Sequence, residues 1–454
     1  MRTSASPVRY FDFSGLSTVK VVKEYRAKYQ ALSDLLDANP QVLALAHRDW
    51  AKLLSRSARG RRGGYTSEQL LRALIVMFVE GASYRDTVVL IENSAFLQAF
   101  VRLGDKPTMD FTFLNKAFGV LAPATLAAMN RAVAEYAVRE EKISGAQVRL
   151  DTTVYETNIH YPTDSSLLWD SFRTVARLVR GLQKDLPHLG LHHRFHERKV
   201  KKLATFIARH LGHKRPGTVR AVRRHYRQLL DSVRWIHGVG QAVRAQVVAA
   251  GYDADELAHY LPLVDGIIHQ AWQRVIEGKM LPADEKLYSL FEEHTELIQR
   301  GKAAKPVEFG HMILLAQTGE KFIHYYQVPQ QRIADPELLP GALRAHQALF
   351  GSYPELAAAD KGFYTSMAQL AALEEQIATV SIAKKGRRTP AQYRRETSAA
   401  FVAGQRFRAG CEGSISGLKR AFKLGRCLFR GFKHYAASVG LAVLCHNLVL
   451  LTRL

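Results

Sequence analysis

The sequence is poor in cysteine and comparatively poor in acidic residues. Its 454 residues include three cysteines, Cys411, Cys427 and Cys445, with no CxxC spacing. This excludes a disulfide framework and a zinc ribbon and is typical of a reducing compartment. Lys and Arg number 64 against 41 Asp and Glu, giving a formal charge of +23. Such an excess predicts a polyanionic partner.

Long apolar runs are also missing. The amino terminus carries no run that could serve as a signal peptide, and the most apolar stretch, residues 436–451, is interrupted by His446 and Asn447. We expect a cytoplasmic protein with no membrane span, in which this stretch packs as an amphipathic helix against a sheet. The length predicts two or three domains.

Helical periodicity covers residues 19–141 and predicts an α-helical domain over residues 1–143. Between its helices lies a glycine-broken basic loop, residues 55–65. Its arginines could contact phosphates or simply be solvated, and the sequence favours neither. They are Arg56, Arg59, Arg61 and Arg62.

A strand pattern begins only after this helical region. β-Branched residues alternate with polar ones over residues 147–159, with Asp151 in the middle. The next strands flank the turn TGE, and two more alternate with helices before a long helix that begins near Ser398. These four later strands are predicted at residues 309–317, 321–328, 354–360 and 378–384.

This element order predicts an α/β protein with a ribonuclease-H-like catalytic core and a mixed five-stranded sheet. The core would comprise residues 144–164 and 306–454. A long α-helical insertion, residues 165–305, would separate strands 1 and 2, and the all-α domain would precede the core.

The insertion is polarised in charge. Residues 171–235 hold 17 Lys and Arg against 3 Asp and Glu, whereas residues 236–300 hold 5 against 10. We expect a helical hairpin or small bundle whose basic limb faces a ligand. The histidines in this limb predict a DNA-facing or solvated stretch rather than a metal site, because their neighbours are basic. They are His188, His192, His193 and His196.

Three carboxylates stand at positions that such a core brings together. Asp151 is in the first strand, Asp360 closes the fourth, and Glu412 is in the last helix. Two carboxylates about 4 Å apart repel by roughly 4 kcal/mol at an effective dielectric near 20, so three together need a cation. Oxygen ligands alone favour Mg²⁺ or Mn²⁺. Any one of these residues alone is more often structural.

The last helix carries a second signal. Arg408 and Lys419 fall on the same face as Glu412. Such a stripe suits a site that binds phosphodiester oxygens, although surface salt-bridge ladders look similar.

Residues 384–433 hold 14 Lys and Arg against 2 Asp and Glu, which predicts a second phosphate-binding surface. Neutralising four of its cations should weaken DNA binding for all sequences alike. They are Lys384, Lys385, Arg387 and Arg388.

Several segments resemble the DDE transposases of bacterial insertion sequences, most closely the ISNCY-like group. They are DTTVYETNIHYPTDSSLLWDS, VEFGHMILLAQ, AAADKGFYTS and QRFRAGCEGSISGLKRAFKLGRC. The resemblance implies a DDE triad of Asp151, Asp360 and Glu412 that binds two divalent ions, Mg²⁺ or Mn²⁺. It also implies that the α-helical domain of residues 1–143 binds the DNA ends of the transposon. The reaction it implies is cleavage at those ends and strand transfer into target DNA, by at least a dimer on DNA, at a bacterial nucleoid-associated location.

The wider superfamily has a helix signature of Tyr, two residues, Arg, three residues, Glu, six residues and Lys. Arg408, Glu412 and Lys419 keep this spacing, but Gln405 stands at the Tyr position. The resemblance implies DNA contacts at Gln405, Arg408 and Lys419. We also expect DNA contacts at Lys361, Arg61, Arg62 and the four cations of residues 384–388.

Two other functions fit the same sequence. A non-catalytic DNA-binding or architectural protein would explain the charge but not the carboxylates. A nuclease with a ribonuclease-H fold, such as a junction resolvase, would share the metals but not strand transfer.

Overall fold

The computed structural model describes residues 19–54, 64–302 and 305–454. As predicted, these residues form an α/β protein with a mixed open sheet. They divide into two compact units: unit 1 is the described residues up to Glu156 with His311–Leu454, and unit 2 is Thr157–Gly310. The helices are α1 Lys20–Ala38, α2 Pro40–Ala51, α3 Ser67–Val79, α4 Tyr84–Glu92, α5 Ala95–Val101, α6 Phe111–Val120, α7 Pro123–Arg139, α8 Asp164–Asp185, α9 Glu197–His210, α10 Pro216–Ala249, α11 Asp255–Ala271, α12 Asp335–Phe350, α13 Met367–Glu374, α14 Pro390–Thr397, α15 Ala399–Ala421 and α16 Gly431–Leu451. The strands are β1 Gln147–Thr157, β2 Glu296–Lys302, β3 Lys305–Thr318, β4 Ile323–Gln327, β5 Leu356–Ala359, β6 Thr379–Ile382 and β7 Arg426–Cys427.

All five predicted strands are present, as β1, β3, β4, β5 and β6. In unit 1, β1 lies between β3 and β5, and β6 lies outside β5, while β4 pairs with β3 and the two-residue β7 with β1. β5 is parallel to both β1 and β6, and β4 is antiparallel to β3. Parallel neighbours bring the carboxyl ends of β5 and β6 to one edge of the sheet.

One face of this sheet is apolar and is covered by α12 and α13. Val148 and Leu150 of β1 lie in this core with Leu339 of α12 and Leu370 of α13. Because side chains alternate along a strand, the intervening residues of β1 face the other way. This leaves the second face near the middle of β1 available to polar side chains.

The C-terminal helix α16 is buried almost all round, so the amphipathic pattern expected for it is wrong. It packs against α3 and α7 as well as β4, and apolar contact on several sides needs no polar stripe. Asn447 bonds both the N–H and the carbonyl of Ile323, at 3.0 and 2.8 Å. Among the residues that the structure describes, α16 alone is long and apolar enough to cross a membrane as a single helix, and 83% of its most apolar window is buried, as in a core helix.

Unit 2 has its own apolar core, formed by α8, α9, α10 and α11. The helices predicted for the insertion are therefore present. The helical expectation is wrong near its end, where β2 pairs antiparallel with the first half of β3 and Glu296 stands opposite Gly310. Strand pairing of this kind depends on a partner segment, which local periodicity does not reveal.

Candidate active site

Asp151 lies in the middle of β1, on the face opposite the apolar core. Val148 and Leu150 point into that core, so Arg149 and Asp151 share the other face. Oδ1 of Asp151 accepts a hydrogen bond of 2.8 Å from the backbone N–H of Thr152. About 17% of the Asp151 side chain is exposed, so it is both accessible and partly desolvated.

Asp360 directly follows β5 and is exposed. The parallel register pairs Leu150 with Ala359, so the next residues along the two strands are Asp151 and Asp360. Neighbouring strands lie about 4.8 Å apart. The register therefore brings the two carboxylates to one edge of the sheet, where ligand-binding crevices form in open α/β sheets.

Arg149 holds α15 against β1, a role that no local pattern indicated. Its Nη1 donates to the carbonyl of Phe407 at 3.1 Å, and the guanidinium carbon lies 5.0 Å from the centre of that ring. Nε and Nη2 donate to Oε1 of Gln317 at 3.3 and 3.2 Å. A side chain at Gly410 would collide with this guanidinium, because an added Cβ would lie 2.1 Å from Nη1. The absence of a side chain at Gly410 thus lets the helix approach the strand.

α15 brings the remaining predicted residues to Asp151. Arg408 and Glu412 are one turn apart on one side of this helix. Nη1 of Arg408 lies 3.7 Å from Oδ2 of Asp151. Glu412 is exposed and close enough for its charge to act on Asp151. The structure therefore gathers Asp151, Asp360 and Glu412 into one electrostatic neighbourhood.

Burial, together with the negative charges of Asp360 and Glu412, raises the pKa of Asp151 to about 6. The Thr152 N–H and the Arg408 guanidinium oppose these effects without cancelling them. A carboxylate that resists ionisation among other carboxylates is typical of functional sites.

The donors assembled here are carboxylate oxygens, which fit Mg²⁺ or Mn²⁺ better than zinc. Among the described residues, no three His, Cys, Asp or Glu side chains stand close enough, as placed, to enclose a metal ion. The arrangement is an acidic site and not a preformed cage.

A fourth carboxylate, Asp335 at the start of α12, belongs to the same neighbourhood and was missed from sequence. Burial raises its pKa, and the charge of Asp360 adds to the effect, whereas a hydrogen bond from the Thr152 side chain lowers it. The only local signal was an Asp before Pro at the start of a helix, which indicates a helix terminus and not a site.

Asp335 also lies against the turn that follows Asp360. A Cβ at Gly362, two residues after Asp360, would lie 2.7 Å from Oδ2 of Asp335. Nζ of Lys385 donates to the carbonyl of Gly362 at 2.9 Å. The turn Lys361–Phe363 is therefore bonded by an ammonium group and has a carboxylate close by.

Gln405, at the Tyr position of the helix signature, is engaged within the protein. Its side-chain nitrogen donates to the carbonyl of Ser381 at 2.6 Å and, more weakly, to that of Ala359 at 3.4 Å. These bonds tie α15 to the ends of β6 and β5. Lys361 is exposed beside Asp360, and Lys419 lies at the end of α15. Contact of these side chains with DNA stays a prediction.

The four cations of residues 384–388 differ in their surroundings. Lys385 holds Gly362, Nζ of Lys384 donates to the carbonyl of Arg387 at 2.6 Å, and Arg388 pairs with Glu396 at 2.7 Å. Within the described ranges, the guanidinium of Arg387 has no ion-pair partner. Arg387 is therefore the member most available to a phosphate. Arg61 and Arg62, with the rest of residues 55–63, lie outside the described residues.

Cys411 is fully buried beside Glu412, and burial raises the pKa of its thiol to about 12. A protonated buried thiol is a packing group and not a nucleophile.

Comparison of the chain with protein-family models, with curated proteins and with solved structures gives no match.

Proposed function

We propose that this chain is a DDE transposase, which cleaves DNA at the ends of a mobile element and joins the freed 3′-hydroxyls to target DNA. The observation that carries the proposal is the meeting of Asp151, Asp360 and Glu412, far apart in sequence, beside Arg408. The strand order β4-β3-β1-β5-β6, antiparallel early and parallel late, supports a ribonuclease-H-like core.

Asp151, Asp360 and Glu412 would hold two Mg²⁺ or Mn²⁺ ions. Such ions, when bound, lower the pKa of a water or hydroxyl nucleophile and offset charge on phosphodiester oxygens. Asp151 must be ionised to act as a ligand, which its pKa of about 6 permits above neutral pH. Arg408 offsets part of the negative charge, and Asp335 keeps Thr152 in position through a side-chain hydrogen bond.

DNA is the partner that this site requires. Lys361 and Lys419 lie near the carboxylates in sequence and would contact phosphates, which position the strand without reading its bases. Synapsis of two element ends implies at least a dimer on DNA. Because the proposed reaction acts on bacterial chromosomal DNA, we expect the protein in the cytoplasm, at the nucleoid.

Joining of a labelled 3′-end to plasmid DNA tests the proposal. The substrate is a duplex that carries the inverted repeat flanking the coding region, with Mg²⁺ or Mn²⁺. We expect cleavage followed by covalent joining of the labelled strand. Cleavage without joining would indicate a nuclease such as a junction resolvase, and binding without cleavage a regulatory or architectural protein.

Asp335→Asn is expected to lower the cleavage rate by about tenfold, because the weaker amide acceptor loosens Thr152 next to Asp151. Since Asp335 acts through neighbouring residues, its loss should also raise the Mg²⁺ concentration needed for half-maximal rate. Glu337→Gln, an exposed change in the first turn of the same helix, serves as the control. Unchanged rate and Mg²⁺ dependence in Asp335→Asn would show that Asp335 has no positioning role.

Arg387→Gln and Lys385→Gln should behave differently although both remove one positive charge. Arg387→Gln should weaken binding to all duplexes alike and reduce the slope of log K against log salt by about 0.9, leaving cleavage at saturating DNA unchanged. Lys385→Gln should also slow cleavage at saturating DNA, because the Gly362 turn loses its donor. Anisotropy titrations between 50 and 300 mM salt, together with single-turnover cleavage, measure both effects. Identical behaviour of the two variants would contradict the assignment of Arg387 to phosphate binding and of Lys385 to the Gly362 turn.

A further inference from the structure

The first half of unit 2 carries a long segment without negative charge. Residues 198–227, which cover most of α9 and the start of α10, contain eleven Lys and Arg and no Asp or Glu. Eight of these cations form two stripes, four on each helix. At about 100° per residue, the members of each stripe fall within roughly 100° of the helix circumference, so each stripe occupies one face of its helix. The stripes are Arg198, Lys201, Lys202 and Arg209 on α9, and Arg220, Arg223, Arg224 and Arg227 on α10.

Both stripes lie opposite the buried faces of their helices. Val200 and Ile207 of α9, and Tyr226 and Leu229 of α10, belong to the core of unit 2. All eight stripe residues are exposed. The two helices pack against each other and each also packs against α8, so a common core lies beneath both. The outward side of this helix pair is consequently a continuous basic surface.

The stripe cations are not neutralised by ion pairs within the described part of the protein. In the part of the chain that the structure describes, none of the eight pairs with a carboxylate, and Arg223 alone is committed, through a 2.6 Å bond to the carbonyl of Ile276. The nearest acidic residue in sequence, Glu197, pairs with Arg180. Keeping so many cations together without counter-ions costs free energy, which a bound polyanion would recover.

Aromatic side chains lie beside the α9 stripe, where α9 packs against α10. The ring of Phe206 stacks on His225 of α10 at 4.1 Å and on His210 at 4.2 Å between ring centres. Phe206 and His210 line an open groove of about 500 Å³ together with Lys201, Lys202 and Arg209. The stacked rings fix the spacing of the two helices and therefore of the two stripes.

We infer that the α9–α10 surface binds the phosphate backbone of duplex DNA and gives the protein a DNA contact outside the carboxylate site. The charge of the surface indicates a polyanionic ligand, whereas the identification of this ligand as DNA rests on the proposed function. From Arg198 to Arg209 the α9 stripe spans about 16 Å at 1.5 Å per residue. Duplex DNA presents one charge per roughly 1.7 Å of axis, so a stripe of this length meets several phosphates. Contacts of Lys and Arg with backbone phosphates carry no sequence information, so we expect this binding to depend little on base sequence.

The test uses the full-length chain and a 30-base-pair duplex of arbitrary sequence, with anisotropy titrations from 50 to 300 mM salt. R220Q/R224Q/R227Q removes three α10 cations and spares Arg223. R177Q/K184Q/R244Q removes the same charge from exposed positions of unit 2 outside the surface. We expect the first variant to raise Kd at least about tenfold at 100 mM salt and to reduce the salt slope by about 2 to 3, and the second to change Kd less than twofold.

K201Q/K202Q/R209Q repeats the test on α9. If circular dichroism shows that one of the two stripe variants is misfolded, the other still tests the inference. Stripe variants that bind within twofold of wild type, or a control that loses as much affinity as they do, would overturn the inference. Asp151→Asn separates it from the proposed function. If Asp151→Asn loses cleavage but the stripe variants bind DNA normally, the surface alone is refuted. If Asp151→Asn retains cleavage but the stripe variants bind DNA poorly, the triad alone is refuted.

Discussion

Replacing Asp151 by Asn, Asp360 by Asn or Glu412 by Gln is expected to lower the rate of cleavage at the element ends at least about a thousandfold, which corresponds to roughly 4 kcal/mol of transition-state stabilisation. Each amide keeps the size of the side chain but removes a negatively charged oxygen donor. The three positions share one electrostatic neighbourhood, so their losses should not add: a double variant should be little worse than either single one.

The measurement is single-turnover cleavage of a labelled terminal-repeat duplex in Mg²⁺ and, separately, in Mn²⁺. Glu355→Gln is a matched control, because Glu355 is an exposed carboxylate that immediately precedes β5, at the opposite end from Asp360. DNA affinity should be close to that of the wild type in all four variants. Metal-dependent nicking at more than a few per cent of the wild-type rate in any triad variant would remove that residue from the site.

Asp151→Asn is also expected to stabilise the protein when no divalent ion is present. The pKa of Asp151 is raised from 3.8 to about 6, so the folded chain holds this proton more tightly than the unfolded chain. The contribution of Asp151 to stability is therefore fully present below pH 4 and is lost as the pH rises through about 6. A neutral amide avoids that loss, and we expect the free energy of unfolding at pH 8 to rise by about 2 to 3 kcal/mol.

Urea unfolding with chelator present, at pH 8 and at pH 4, measures this effect. The difference between Asp151→Asn and wild type should be largest at pH 8 and nearly absent at pH 4. Added Mg²⁺ should stabilise the wild type and not the variant, because ion binding requires the ionised carboxylate. Glu355→Gln should show neither effect. An Asp151→Asn protein less stable than wild type at pH 8 would mean that the carboxylate is a structural group.

The triad positions could be predicted because each carries a local signal. Alternation of apolar and polar residues around Asp151 identified a strand, and the apolar run that Asp360 closes identified a strand end. The spacing of Arg408 and Glu412 identified one side of a helix. Such patterns depend on the strand and helix repeats, which are properties of neighbouring residues alone.

Other residues of the site carried no such signal. Arg149 lies two residues before Asp151, and its sequence context indicated only an ordinary strand residue. In the structure it contacts Phe407 and Gln317, both more than 150 positions away. Asp335 read as a helix start. Their roles arise only from contacts between segments remote in sequence, which periodicity cannot encode.

By itself, the sequence determined the α/β class, the five central strands, the helical character of most of the insertion and its polarised charge, because hydrophobic spacing and composition are local quantities. Tertiary structure alone decided the register that sets Asp360 beside Asp151, the addition of Asp335 to that site, the engagement of Gln405 within the protein and the pairing of β2 with β3. The physical reason is that hydrogen-bond partners and the burial of a charge are fixed by which segments meet, and that choice belongs to the packed chain as a whole.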